Sequence, residues 1–390
     1  MPHGQQDETV IDLCRRLIET PSESGKEEAA IGLLYDYLGQ NGVQDLYIDP
    51  FGSLIASAGG GRPGPVLLFD GHIDTVPVPD PGAWTRPPYG GLVDGNRIFG
   101  RGSSDMKGAL AAMAAAATQF IKANGGDFKG TLVLAATVQE EIFEGVAARA
   151  VSEYCKPDVV VIGEATALNL NIGQRGRAEI KIETFGIPAH SSNPEKGRNA
   201  VYLMADAIGR LRNLPPPRHP LLGAGIMELT DIKSEPYPGA SVVPSYCAAT
   251  YDRRLLPGEQ PDQVLAPVQA LLAELGEAVQ ASYASGRQVC YTGKIMEAER
   301  FFPGWLFDEQ EWFVQKAFHD LKRTGLDIHL SHYSFCTNGS HYAGEKKIPT
   351  LGFGPSYEEL AHTVDEYIEL DQLVGAVRGY RALMEAFLTD

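Results

Sequence analysis

Imidazole and carboxylate side chains occur at a few places in this sequence where an apolar run begins or ends. Without thiolates, such groups form a ligand set that suits Zn²⁺, Mn²⁺ or Co²⁺. If the fold gathers them, their mutual repulsion and desolvation are costly unless a cation holds them. The candidates, in chain order, are His72, Asp74, Asp105, Glu140, Glu141, Glu164 and His362.

Each candidate taken alone also has a simpler explanation. A single histidine after a strand is more often a satisfied core or loop residue. The neighbours Glu140 and Glu141 suit a solvated helix start, and Asp105 suits a helix cap. Only their occurrence together favours a metal site over these alternatives.

Three short apolar runs, at 66–69, 131–138 and 159–162, precede most of these groups. Runs that are apolar throughout are typical of parallel strands covered on both faces. Helical stretches at 106–121 and 144–154 lie between them. The pattern predicts an α/β fold with a mostly parallel central sheet flanked by helices. Ligands of such sheets bind beyond the carboxyl ends of the strands.

Two helices are predicted before the first of these strands. Val10, Leu13, Cys14, Leu17 and Ile18 have the spacing of an amphipathic helix. Ser24 with Glu27 three residues later has the spacing of a capping box that opens a second helix, which ends at Asn41-Gly42.

A different pattern begins at about residue 177. Its predicted order is strand, helix, two strands, helix and strand, which is the split ferredoxin-like plan. This predicts an inserted α+β domain with a ferredoxin-like fold. The predicted elements are at 178–184, 199–211, 225–232, 245–252, 261–275 and 287–291.

The length of 390 residues favours two domains. We expect a discontinuous catalytic, metal-binding domain at 1–176 and 294–390, with the inserted domain at 177–293.

The formal net charge of −17 argues against a nucleic-acid partner. The longest nearly uncharged apolar stretch, at 108–121, is too short to span a membrane, which needs about 20 residues. Five widely spaced cysteines without a C-x-x-C pair favour a reducing, cytoplasmic setting.

At these residues the sequence resembles the dinuclear zinc amidohydrolases that include acetylornithine deacetylase, succinyl-diaminopimelate desuccinylase and carboxypeptidase G. Stretches at 173–177 (GQRGR) and 335–339 (FCTNG) look closest to a subgroup named selenium-metabolism-linked hydrolases. The matching motifs cover nearly the whole chain. They are GHIDTVP (71–77), GSSDMKG (102–108), EE (140–141), GEAT (163–166), AHSS (189–192) and AHT (361–363).

The resemblance implies two divalent metal ions per chain, zinc first, with manganese or cobalt as alternatives. Asp105 would bridge the two ions. His72 and Glu164 would complete one coordination sphere, and Glu141 with His362 the other. Asp74 would orient the imidazole of His72 as an outer carboxylate.

The resemblance also implies a mechanism. Glu140 would be the general base. It would take a proton from a water that bridges the two metal ions and later give that proton to the leaving amine. His190 would stabilise the oxyanion in the active site of a neighbouring subunit. The resemblance therefore implies a homodimer through 177–293, with the inserted domain serving in dimerisation or as a lid. The alternative for His190 is a plain surface-loop histidine.

Three further residues are candidates for substrate binding by the same resemblance. Arg254 occupies the place of an arginine that grips a substrate carboxylate. A structural ion pair between Arg254 and Asp252 is the competing explanation. Asn338 and Gly339 occupy the place of a small, polar loop that contacts substrate.

These expectations describe a metal-dependent hydrolase that cleaves the amide bond of an N-acyl amino acid or a small peptide-like molecule. A dipeptidase of the same family is the alternative within that class. A catalytically silent binding protein would be expected to lack the base or a ligand, but every position is occupied. A serine hydrolase is disfavoured because no G-x-S-x-G motif is present.

Overall fold

The computed structural model of the protein describes residues 5–389. In that part of the chain, eight α-helices alternate with short strands. The helices are α1 (Gln5–Ile18), α2 (Glu28–Gln40), α3 (Gly108–Asn124), α4 (Val146–Cys155), α5 (Ala200–Leu211), α6 (Pro261–Ala273), α7 (Trp312–Lys322) and α8 (Leu370–Leu388).

The strands form two main sheets and three small ones. Their bounds are β1 (Asp45–Ile48), β2 (Leu54–Gly59), β3 (Gly61–His72), β4 (Leu92–Asp94), β5 (Arg97–Phe99), β6 (Phe128–Thr137), β7 (Val159–Ile162), β8 (Leu170–Gln174), β9 (Gly176–Phe185), β10 (Arg218–His219), β11 (Gly223–Ala224), β12 (Ile226–Glu235), β13 (Tyr246–Leu255), β14 (Val279–Tyr283), β15 (Ser285–Val289), β16 (Ile295–Glu299), β17 (Phe301–Phe302), β18 (Trp305–Leu306), β19 (Leu330–Tyr333), β20 (Thr350–Gly352) and β21 (Tyr367–Glu369).

The larger sheet has the strand order β1-β2-β6-β3-β7-β20-β8-β18, with β19 also paired to β8. Its centre is parallel, because β3 pairs in parallel with β6 and β7, and β20 pairs in parallel with β7. Helix α3 packs against α1 and α8, and most of its side chains are fully buried. The predicted α/β fold, with a mostly parallel sheet flanked by helices, is confirmed.

The smaller sheet has the order β12-β13-β9-β14 and is antiparallel throughout. In chain order these strands stand 2-3-1-4, and α5 and α6 pack on one face with their own hydrophobic cluster. The burial of β9 and β13 alternates residue by residue. This is the ferredoxin-like plan.

The prediction for the last strand of the smaller sheet was wrong. The strand after α6 that joins this sheet beside β9 is β14, whereas the predicted segment at 287–291 overlaps β15. Strand β15 instead pairs with β16 in a separate hairpin, and the predicted domain boundary at 293/294 falls in the turn of that hairpin. The division into 1–176 with 294–390, and 177–293, stays a prediction.

The two predicted N-terminal helices are present, but the capping box is not. The apolar stripe of α1 is buried as expected, and α2 ends next to Asn41. Helix α2 begins after Glu27, whose side chain makes no hydrogen bond to the helix. Ser24 and Glu27 bond elsewhere, because tertiary partners compete with the local cap.

Among the helices of residues 5–389, none combines the length and the apolar character that spanning a bilayer requires.

Candidate metal centre

The predicted ligands lie together because neighbouring parallel strands end at one edge of the larger sheet. His72 is the last residue of β3, and it stands opposite Thr137, the last residue of β6. Glu140 and Glu141 follow β6, and Glu164 follows β7 two residues after its end. The local pattern predicts that these groups follow strands, and the strand order brings the strand ends side by side.

One part of the centre, which we name the inner half, consists of His72, Glu164 and one carboxylate oxygen of Asp105. His72 Nε2 is 2.8 Å from Asp105 Oδ1 and 3.4 Å from Glu164 Oε1. The His72 side chain is only 1% exposed. Glu140 Oε2 lies 4.0 Å from the same imidazole nitrogen, beyond hydrogen-bond distance.

The other part, which we name the outer half, consists of Glu141, His362 and the second oxygen of Asp105. His362 Nε2 is 2.9 Å from Glu141 Oε2 and 3.1 Å from Asp105 Oδ2. The His362 side chain is 52% exposed. Asp105 therefore contacts both histidines through different oxygens, as a bridging ligand must.

Burial and like charge shift the pKa values of the glutamates in this cluster. Burial, with added repulsion from neighbouring carboxylates, raises the pKa of Glu140 well above its usual value. Burial and the nearby Asp105 raise the pKa of Glu141 to about 7 and also raise the pKa of Glu164. Such a set of buried acids is costly in charged form unless positive charge is present.

The two histidines and Asp105 shift in the opposite sense. Burial opposes the charged form of His72, but Glu164 and Asp105 outweigh it and hold its pKa well above 6.5. Hydrogen bonds to Asp105 and Glu141 raise the pKa of His362 to about 10. Burial of Asp105 is outweighed by its bonds to both histidines, which lower its pKa.

These residues fit a pair of divalent cations. Glu140 Oε1 and Glu141 Oε1 are buried and have no hydrogen-bond partner among the described residues. Ligand atoms of His72, Glu140 and Glu164 lie within 4.8 Å of one another, as do those of His72, Asp105 and Glu141. The donors are imidazole nitrogens and carboxylate oxygens, the set that zinc and related ions accept.

Asp74 holds the centre in a way that the sequence did not indicate. Its backbone carbonyl is 2.9 Å from His72 Nδ1, whereas its carboxylate Oδ1 is 3.7 Å from that nitrogen. The carboxylate accepts instead from the backbone N–H groups of Glu140 and Glu141, at 3.0 and 3.2 Å. Asp74 thus contacts both His72 and the loop that carries the two glutamates.

His190 is not brought to this centre within the chain. It is exposed, and its Nδ1 accepts from the backbone N–H of Ser192 at 3.1 Å. Within residues 5–389 its side chain bonds to Ser192, and its backbone accepts from Asn193 N–H at 2.8 Å and forms a bridge to Val242. Its role at a neighbouring active site stays a prediction.

The three predicted substrate-binding residues already have partners in the protein. Arg254 Nε lies 2.8 Å from Asp252 Oδ1, which is the ion pair expected as the alternative. Asn338 donates from Nδ2 to Asp70 and Thr137 and accepts at Oδ1 from a backbone N–H. Gly339 is buried, and a side chain there would meet Trp305. Substrate contact by these residues stays a prediction, and their present bonds do not favour it.

Sequence reasoning missed the residues that support Asp105. Glu366 is fully buried and accepts from the backbone N–H groups of Ser104 and Asp105, at 2.8 and 3.2 Å. Arg101 pairs with Glu366 at 2.5 Å. The sequence offered only a weak indication of these two residues. Arg101 lies between two glycines shortly before Asp105, and Glu366 lies four residues after His362.

Comparison with known proteins agrees with this geometry. The family model "Peptidase family M20/M25/M40" matches residues 68–386. The chain is 32% identical over 380 residues to the Escherichia coli K12 protein YgeY, covering 96% of this chain and 93% of that protein. It is 31% identical over 385 residues to an acetylornithine deacetylase of Klebsiella pneumoniae, covering 92% of each chain.

A solved structure gives the same picture of the fold. The YXEP protein of Bacillus subtilis, described as a dinuclear metal-binding peptidase of the M20 family, superposes with a TM-score of 0.71 at 17% identity. The match covers 97% of both chains. The fold, the clustered ligand set and the family match together show that this chain belongs to peptidase family M20/M25/M40 and is a metal-dependent hydrolase.

Proposed function

We propose that the protein hydrolyses the amide bond of an N-acyl amino acid or a small peptide-like molecule, with Glu140 as the general base. The observation that carries this proposal is the position of Glu140. Its carboxylate is buried beside His72 and Glu164, and its Oε1 has no hydrogen-bond partner among residues 5–389. The deacetylase among the relatives supports an acylated amino acid as the substrate.

The chain's own residues account for the proton transfers. Glu140 receives the proton of the attacking water at its unpartnered oxygen and returns it to the leaving amine. Asp74 keeps the loop in place through the two backbone bonds described above.

We propose two divalent cations for the centre, zinc first and manganese or cobalt as alternatives. His72, Glu164 and Asp105 would hold one, and Asp105, Glu141 and His362 the other. When bound, such ions polarise an amide carbonyl and lower the pKa of water to about 7. The family neighbour described as dinuclear supports the number of ions.

Replacing Glu140 by Gln tests the division of roles. We expect Glu140→Gln to keep its metal content while kcat falls by roughly 10²-fold or more, as for removal of a general base. Metal analysis and assays on N-acyl amino acids and unblocked dipeptides provide the measurement, with protein loaded separately with Zn²⁺, Mn²⁺ and Co²⁺.

Glu141→Gln is the matched control, because it changes the neighbouring carboxylate that we assign to a metal ion. It should lose metal, unlike Glu140→Gln. Loss of metal from Glu140→Gln would contradict the assignment of Glu140 as base. If hydrolysis requires a free α-amine on the substrate, the activity is that of a dipeptidase and not of a deacylase.

We also propose a homodimer through 177–293 in which His190 enters the neighbouring active site. Because Ser192 donates to Nδ1 of His190, the ring proton lies on Nε2, which suits donation to an oxyanion. Ile187 and Val242, both near His190, are exposed apolar side chains. Burying them against a second copy would stabilise the dimer.

Mixing two inactive variants tests the shared site. Each active site would combine Glu140 of one chain with His190 of the other. Glu140→Gln and His190→Ala subunits, mixed and allowed to exchange, should therefore regain up to about a quarter of wild-type activity. Absence of recovered activity in verified mixed dimers would contradict the shared site.

We propose a reducing, cytoplasmic setting for the protein. All five cysteines are unpaired, and four of them are buried. Disulfides form in oxidising compartments and are rare in the cytoplasm, so this thiol content supports the proposal.

A further inference from the structure

The segment before α2 is bound tightly to the loop that follows His72. Ser22 Oγ donates to the backbone carbonyl of Ile73 at 2.6 Å, and Thr75 N donates to the carbonyl of Ser22 at 2.9 Å. Ser24 Oγ donates to Asp74 Oδ2 at 2.7 Å. Ser24, whose spacing to Glu27 resembles a capping box, thus contacts Asp74, which itself contacts His72 and the loop of Glu140 and Glu141.

Glu27 extends this contact to the loop that carries the proposed base. Its side chain is fully buried, and Oε1 accepts from the backbone N–H groups of Gly25 at 2.7 Å and Gln139 at 3.3 Å. Oε2 has no hydrogen-bond partner within the described part of the chain. Burial, with the nearby Asp74, raises the pKa of Glu27 to about 7. A carboxyl group in this position is costly, and a serine would cap α2 at lower cost.

Two buried carboxylates bind three consecutive backbone N–H groups. Glu27 accepts from Gln139, and Asp74 accepts from Glu140 and Glu141. Gln139 has a φ of 61°, in the left-handed region that a non-glycine residue adopts only at an energetic cost. Such a conformation persists only where surrounding contacts hold it. The side chain of Gln139 adds one such contact, donating to the carbonyl of Val289 at 3.2 Å.

We infer that Glu27 is a positioning residue, which holds the left-handed turn at Gln139 and so sets the direction of the Glu140 side chain. This inference rests on the proposed role of Glu140 as general base. The hydrogen bonds of the Glu27 carboxylate go to Gly25 and Gln139, and none of them joins it to a predicted ligand among the described residues. Its effect passes through one backbone N–H.

Three variants separate this role from a general effect on folding. Glu27→Ala removes the acceptor, and Glu27→Gln keeps a side-chain oxygen that can accept from both N–H groups. Glu28→Ala is the matched control, because Glu28 is the next residue and is exposed. The measurements are amide hydrogen exchange of residues 138–145, kcat and KM, and metal content of the metal-loaded enzyme.

We expect Glu27→Ala to speed exchange in 138–145 and to lower kcat about tenfold, the loss of one buried hydrogen bond. KM and metal content should stay near wild type. Glu27→Gln should recover most of kcat and of the protection from exchange, and Glu28→Ala should match wild type.

Wild-type exchange of 138–145 in Glu27→Ala would overturn the inference. A kcat of wild-type size despite faster exchange, or a Glu27→Gln as impaired as Glu27→Ala, would also overturn it. The proposed function fails separately, if Glu140→Gln remains fully active, and the inference then fails with it. If Glu140→Gln is inactive and Glu27→Ala behaves as wild type, only the inference fails.

Discussion

The inner and outer halves of the metal centre use the same kinds of ligands but are held by different parts of the fold. His72 is 1% exposed and ends a strand paired on both sides, so the sheet itself fixes its backbone. His362 is 52% exposed and lies in a loop, with a φ of 63°. That loop is attached through Asp365, which accepts from the backbone N–H of Thr85 at 2.8 Å and from its hydroxyl at 2.7 Å.

The comparison indicates that a sheet provides a rigid ligand and a loop provides an accessible one. We expect an ion in the inner half to bind more tightly and to exchange more slowly than an ion in the outer half. Solvent reaches the outer half directly through His362, whereas the inner half is enclosed by protein.

Replacing each histidine in turn should give the largest contrast. His72→Ala should bind metal at least about 100-fold more weakly, since changes in outer-shell partners alone cost 10–100-fold. His362→Ala should retain one ion per chain after dialysis. Metal analysis of both variants provides the measurement, and a His362→Ala protein with less metal than His72→Ala would reverse the proposed order.

A smaller effect should separate the scaffolds of the two halves. Arg101→Met leaves Glu366 buried without its partner, which should lower the free energy of unfolding by about 3–5 kcal/mol. The second variant, Asp365→Ala, removes the exposed attachment of the outer loop and should shift the denaturation midpoint far less. Denaturant unfolding of both proteins measures this difference.

The double variant Arg101→Met with Glu366→Gln is the control for buried charge. It should recover part of the stability, because the amide oxygen can still accept from Ser104 and no buried charge remains. If Asp365→Ala proves as destabilising as Arg101→Met, the two halves do not differ in the way described.

The parts of the fold that depend on local pattern were predictable from the sequence. Apolar runs placed three central strands, and the groups after them marked the edge of the sheet where the site lies. Asp105 and His362 were candidates by residue type, and the resemblance to a known family assigned them their roles as metal ligands. These residues lie close together in the structure.

The supporting contacts were not predictable, because each joins positions far apart in the chain. Ser24 bonds to Asp74, 50 residues away, and Arg101 to Glu366, 265 residues away. Residue types alone favoured a local cap at Ser24 and Glu27, but Ser24 donates to Asp74 and Glu27 accepts from Gln139 instead. The last strand of the smaller sheet failed for a related reason: both 279–283 and 285–289 suit a strand, and only the pairing partner distinguishes them.

The N-terminal segment has a practical consequence for anyone shortening this protein. A gene trimmed to the span of the family model, residues 68–386, would still encode each proposed metal-binding side chain and Glu140. It would lose Ser24 and Glu27, and also the carbonyls of Leu17 and Thr20 that receive the buried ammonium of Lys107 at 2.9 and 2.7 Å. The shortened protein would keep the proposed catalytic side chains but lose the contacts that hold them in position.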